Sequence, residues 1–230
     1  MTEREEGRTD SVRDDLANAA YRLIAVDGVE ALTVRRLAQE AGTSTMAVYS
    51  RFGSLGAVAG EVCERGFAEL GTELSACGAS DDPLADLMHQ GLRYLQFATS
   101  HPRLYTLMFQ YTSPDWPSAQ RMPLLQHGAP TDSVAGRAAF STMVGAVRAA
   151  SAATIDDATL LIRAGVVWST VHGLSMLSIA GHLTGAHDLV ARDGLITLAV
   201  GHGADRPDAE AAFAEAELRM NRPPLTPAAR

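Results

Sequence analysis

The 230-residue sequence has no lysine: all 19 basic residues are arginine, set against 27 aspartates and glutamates for a formal charge of −8. This excludes a protein that coats nucleic acid or acidic membranes through bulk charge, so any anion site must be local. It also makes every cation a permanent, fork-shaped donor, suited to phosphate, to guanine or to a solvated helix face. Cysteine is almost absent, and Cys63 and Cys77 lack the paired spacing of a zinc or redox motif, which leaves buried packing as their default role. Apolar runs are broken by charge or glycine before the roughly 18 residues of a membrane span, so no membrane is expected. The opening MTEREEGRTD is charged and lacks the apolar stretch of a secretory signal; it reads as a frayed leader on a cytoplasmic protein.

Chemical machinery is missing too. The sequence has no nucleophile elbow, no phosphate-cradling glycine loop and no clear carboxylate pair, so neither an enzyme with catalytic residues nor a cofactor is expected. His182, His187, Asp188 and His202 invite a metal, but their spacing matches no strong ligand motif and none is assigned.

What is present is helical periodicity. Leu16, Ala20, Leu23 and Ile24 recur at helical spacing before Gly28. Thr33 can cap a short second helix with Val34, Leu37, Ala38 and Ala41 inward, stopped by Gly42. A third short helix starts at Thr43 or Ser44, and Ser54 offers a cap for a long fourth. The cluster ACGASDDP marks a boundary, and helices follow from Pro83 to about Ser100, over RLYTLMF, and at 134–150, 157–182, 189–200 and 207–220. The segment QYTSPDWPSAQRMPLLQHGAPTDS reads as a long connection holding at most a helical turn, and RPPLTPAAR cannot continue a helix. With no alternating strands and no repeated period, the expected class is all-α.

Two short helices around Gly42, with a third before them, follow the plan of a helix-turn-helix unit. A helix that enters a major groove must be narrow and polar outside, and TSTMAVYSRF meets this: Thr45, Ala47 and Ser50 are small or hydroxylic, while Val48 and Phe52 can face inward. Tyr49 and Arg51 can hydrogen-bond phosphates, and backbone amides near Thr33 and Ser44 add donors. The stretch ALTVRRLAQEAGTSTMAVYSRFGSLGAV resembles the DNA-binding region of the tetracycline-repressor (TetR-like) family of bacterial regulators. The resemblance implies a homeodomain-like three-helix DNA-binding domain at 10–58 and a linking helix at 54–76. It also implies that Arg35 and Thr45, Met46 and Ala47 face bases, and that Thr33, Ser44, Tyr49, Ser50 and Arg51 belong to the same DNA-binding surface. Arg51 stands where the family usually has histidine, and Leu55 where it usually has a phosphate-contacting lysine. Between Thr33 and Leu55, Arg35, Arg36 and Arg51 outnumber Glu40, so only a mild salt dependence is expected.

In RAGVVWSTVHGLSMLSIAGHL, Trp168 and His172 are four apart and share a helix face, beside a mid-helix Gly173 that calls for a packing reason. With HPRLYTLMF, this resembles the tryptophan-histidine-glycine (WHG) type of C-terminal domain of one TetR-like branch. That resemblance implies a regulatory domain over 80–221 that dimerises and encloses a small molecule. Met88, Leu92, Tyr105, Met108, Phe109, Phe140, Met143, Trp168, His172 and Met176 are the candidate lining, although ordinary core is the alternative for each. The segment 185–205 departs from the expected pattern and reads as an extra interface helix or a lid. The function implied is a homodimeric, ligand-responsive transcriptional regulator, usually a repressor, that binds a pseudo-palindromic double-stranded DNA operator and answers to an unknown small-molecule effector. The alternative is a helical small-molecule or protein-binding module that no longer binds DNA.

Overall fold

The computed structural model describes residues 3–110, 122–151 and 154–221. Among these it has eleven α-helices: α1 (Glu3–Asp27), α2 (Val34–Glu40), α3 (Thr45–Phe52), α4 (Leu55–Ser75), α5 (Pro83–Ser100), α6 (Pro102–Gln110), α7 (Leu124–His127), α8 (Val134–Ala149), α9 (Asp157–Ile179), α10 (His187–Gly201) and α11 (Arg206–Met220). The class is all-α. The charged N-terminal stretch continues the first helix back to Glu3 instead of fraying; it holds no proline, and Gly7 weakens the helix without ending it. The segment 185–205 forms α10, and the described end of the long connection contains the single turn α7. Residues 111–121 of that connection and the tail 222–230 lie outside the described residues.

Two compact units emerge. The first comprises residues 1–69, 101–122 and 130–137. Its core is the inward stripe of α1, with Leu16, Ala20 and Ile24 fully buried, against Leu37 of α2, Val48 of α3, and Val58 and Val62 of α4. Helices of seven and eight residues are too short to persist alone, so α2 and α3 depend on this burial, worth about 2 kcal/mol for each large side chain. In the same unit α6 approaches α4 so closely that a methyl group at Gly66 would lie 2.8 Å from the Met108 sulfur and 3.1 Å from Leu104. A side chain at that position would force Met108 and Leu104 to shift.

The second unit comprises residues 70–100, 123–129 and 138–230. Helix α5 packs on α9 and α11, and α10 packs on both of those. Helix α9 is the one described helix long and apolar enough to cross a membrane; its face bearing Leu160, Ala164, Val167, Val171 and Leu174 is buried. The start of α5 and the end of α11 are tied by a partly buried polar cluster around Asp86. Arg219 donates to Asp86 at 2.6 Å and to Ser80 Oγ at 3.3 Å, and its Nε donates to Glu215 at 2.9 Å. Burial pushes the Asp86 carboxyl upward, but hydrogen bonds from the Ser80 amide and hydroxyl and the Arg219 guanidinium outweigh it and hold the carboxyl below its ordinary value.

Removing one member of a buried pair strands the other. Arg219→Ala is expected to destabilise the protein by about 3 kcal/mol in urea unfolding at neutral pH. Because the folded Asp86 pKa is lowered, the stabilisation is complete above its ordinary value of 3.8 and fades as pH falls through the folded value. The gap between variant and parent should therefore narrow only in strong acid.

Candidate nucleic-acid interface and regulatory core

Each short helix of the first unit is capped by its own sequence. Thr33 Oγ1 accepts from the Arg36 amide at 3.2 Å, and Ser44 Oγ accepts from the Ala47 amide at 3.2 Å. Both hydroxyl protons remain as donors toward solvent, where a phosphate would lie. Between the helices Gly42 turns the chain at φ 62°, a conformation that other residues adopt only with strain.

Burial then sorts α3 by face. Val48 and Phe52 are buried, whereas Ser44, Thr45, Met46, Tyr49 and Ser50 are exposed and Ala47 is half-buried. Met46 is 75% exposed and Tyr49 54%, unusual for large apolar side chains unless the surface has a partner. Arg35 projects from α2 with no ion pair among the described residues, while its neighbour Arg36 is bound to Asp27 at 2.6 Å. Arg51 differs from the rest: it is half-buried, and its Nε is buried without a partner. Ser50 donates its hydroxyl proton to the Ala47 carbonyl at 3.1 Å, so toward DNA it would act as an acceptor.

One residue of this surface's support escaped the sequence reading. Arg13 on α1 donates to the Arg51 carbonyl at 3.0 Å and to Glu61 at 2.9 Å, and its guanidinium stacks 4.2 Å from the centre of the Phe52 ring. A cation on the last carbonyls of α3 is favoured by the helix dipole, and the stacking adds to it. Arg13 therefore fixes the end of α3 against α1 and α4. Its only sequence signal is a charge one turn before Leu16, which any solvated helix face would also show.

The candidate ligand residues divide between the units. Tyr105, Met108 and Phe109 lie on α6 in the first, where Phe109 meets Phe67 edge-on at 5.3 Å and Tyr105 at 4.7 Å, and the Met108 carbonyl accepts from the Cys63 thiol. Burial raises that thiol far above its ordinary range, so it is inert. In the second unit Phe140 meets Trp168 edge-on at 6.2 Å, and Trp168 lies 5.6 Å from the His172 ring. Burial lowers the His172 pKa, which keeps the ring neutral at physiological pH. Met88 and Met143 are buried, and Leu92 and Met176 half-buried. A methyl group at Gly173 would meet nothing within 4 Å, so the packing reason expected for this glycine is not found among the described residues.

A family model described as a tetracyclin repressor-like C-terminal domain matches residues 87–202. The chain belongs to the TetR family. A second model, of bacterial regulatory proteins of the tetR family, matches residues 16–62, the segment that holds α2 and α3. The chain is thus a DNA-binding transcriptional regulator, and its helix-turn-helix is α2, the Gly42 turn and α3. Among solved structures, a protein of unknown function from Rhodococcus sp. RHA1 aligns with a TM-score of 0.65 and 28% identity, over 83% of this chain and 94% of that one. RolR in complex with resorcinol aligns at 0.60 and 15% identity over 91% and 96%, and a TetR-family regulator from Shewanella sp. PV-4 at 0.57 and 14% over 83% and 97%. These two show the TetR fold. No curated protein matches the chain.

If Tyr49 and Arg51 hold the DNA backbone and Thr45 reads bases, Tyr49→Phe with Arg51→Ala should weaken binding on every sequence, whereas Thr45→Ala should change which sequence is preferred. Competition binding against a panel of operator variants separates the two, and identical behaviour contradicts the assignment. Arg13→Ala should behave like the first pair, lowering affinity about tenfold without altering base preference.

Proposed function

We propose that this TetR-family protein is a cytoplasmic homodimeric repressor that leaves a pseudo-palindromic operator when a small-molecule effector binds its second unit. The observation that carries the reading is the sorting of α3: Val48 and Phe52 are buried, and a narrow outer face of Thr45, Met46 and Tyr49 is left exposed beside the unpaired Arg35. Thr45, Met46 and Ala47 with Arg35 are the base-reading set; Thr33, Ser44, Tyr49 and Arg51 hold the backbone, and Ser50 lies on the same surface as an acceptor. The exposed Met46 thioether suits apolar contact with thymine methyl groups.

One headpiece offers few contacts, so two on successive half-sites are needed for useful affinity. The surface for dimerisation is the outer stripe of α9, where Ile162, Val166 and Leu177 are each 44% exposed or more, with Ser169 and Gly173 on the same face at helical spacing. The open space over Gly173 lets a second helix approach closely there. Leu189 and Val190 of α10 are exposed too and extend the candidate surface.

Release follows from population shift. An effector that prefers the conformation with headpieces misplaced for successive grooves lowers DNA affinity, and DNA must lower effector affinity by the same factor. RolR, a protein of the same fold, was crystallised with the small molecule resorcinol, which fits a small-molecule effector in general. Met88, Leu92, Phe140, Met143, Trp168, His172 and Met176 supply the second unit's candidate contacts.

A mobility-shift titration on the region upstream of the protein's own gene tests the reading. A specific, salt-sensitive complex is expected; its absence there and at adjacent genes would instead favour a helical binding module that has lost DNA. Val166→Glu should convert the dimer to monomer in sedimentation velocity and lower operator affinity about 100-fold. A dimer that survives the substitution with full DNA affinity contradicts the assigned interface.

A further inference from the structure

The second unit contains a partly enclosed cavity of about 340 Å³ to which none of the aromatic candidate residues contributes. It lies among the first turns of α5, the end of α8, the first half of α9, the end of α10 and the start of α11. Its volume falls at the lower end of small-molecule sites. The walls are aliphatic, with Leu84, Met88, Val167, Leu195 and Leu198 among them, and include no phenylalanine, tyrosine or tryptophan.

Two polar groups share this apolar setting. Arg163 on α9 is half-buried and makes no hydrogen bond or ion pair among the described residues, although Arg93, Arg148, Arg206 and Arg219 of the same unit are bound to carboxylates. His202, at the end of α10, is half-buried beside it; burial first, and then the Arg163 charge, lower its pKa and keep it neutral. Asp205 and Asp208 also line the space, but both are exposed, so their charges are hydrated at the rim. The inner charge is therefore a single permanent cation with a neutral imidazole beside it. An unpaired guanidinium against aliphatic walls is costly without an anion, and one carboxylate is its best geometric match. The rim aspartates repel a second negative charge on the ligand.

We propose that this cavity binds a medium-length aliphatic monocarboxylate, its carboxylate bidentate on Arg163 and hydrogen-bonded by His202, its chain along Leu84, Val167 and Leu198. Assigning such an acid as the effector rests on the ligand-responsive reading above; the binding site itself does not.

Calorimetric titration of the full chain with octanoate, octanamide and octylammonium tests it. Octanoate is expected to bind at least tenfold more tightly than octanamide, and octylammonium not to bind. Arg163→Gln should weaken octanoate about tenfold and leave octanamide unchanged, and Leu198→Trp, which fills the cavity, should abolish both. Absence of octanoate binding, equal octanoate affinity in parent and Arg163→Gln, or tighter binding of octylammonium overturns the proposal. Should Arg163→Gln fail to fold, the comparison of octanoate with octylammonium on the parent chain decides the same point. Octanoate that binds through Arg163 yet leaves operator affinity unaltered upholds the site and removes the acid as effector. A compound that releases DNA equally from parent and Arg163→Gln preserves the effector reading and places the effector elsewhere.

Discussion

Burial of two short helices against a long one governs the first unit. Helices α2 and α3 are too short to hold their shape in water, so Leu37, Ala38, Val48 and Phe52 must be covered by α1 and α4. Once those side chains point inward, helical geometry leaves Thr45, Met46 and Tyr49 no direction but outward. Stability and DNA recognition are thus two faces of one constraint, and the small residues outside cost little because the large ones inside hold the helix. The caps at Thr33 and Ser44 and the turn at Gly42 fix where each helix begins and at what angle the second follows the first.

The absence of lysine gives the charges a division of labour. In the first unit Arg13, Arg22, Arg36 and Arg65 are bound to carboxylates and join α1 to α2 and α4. Each exposed pair adds little to stability, at most about 1 kcal/mol, but each also withdraws a cation from the surface. On the proposed DNA-binding face, Arg35, the half-buried Arg51 and a set of hydroxyls remain among the described residues. Such a face gains less from counterion release than a lysine-rich one, and Leu55 in place of the family's usual lysine reduces the grip further. On the proposed reading affinity then comes from duplication, with the exposed stripe on α9 as the pairing surface.

Local features were legible in the sequence and long-range ones were not. The Leu16–Ile24 stripe, the caps and Gly42 are visible because periodicity and capping act within one or two turns. The Arg13 clamp joins residues 38 and 48 positions apart, and no pattern in α1 distinguishes it from a solvated charge. The aromatic residues of α6 and α9 read alike in the sequence, since periodicity reveals that a face is buried without revealing what it faces; Phe109 packs with Phe67 in one unit and Trp168 with Phe140 in the other. The pairing of Arg163 with His202 at one cavity was hidden for the same reason. The charged N-terminus shows the opposite case: its low apolar content predicts fraying, yet α1 extends back to Glu3 through Gly7.

The most direct measurement of the central claim is a methylation-interference footprint of the full chain on the DNA upstream of its own gene. Guanine N7 lies in the major groove, so two recognition helices on one dimer should give two patches of interference on one face of the duplex, about one helical turn or a multiple apart. A single patch, interference confined to the minor-groove N3 of adenine, or no interference under conditions that form the complex would contradict the placement of α3 in successive major grooves.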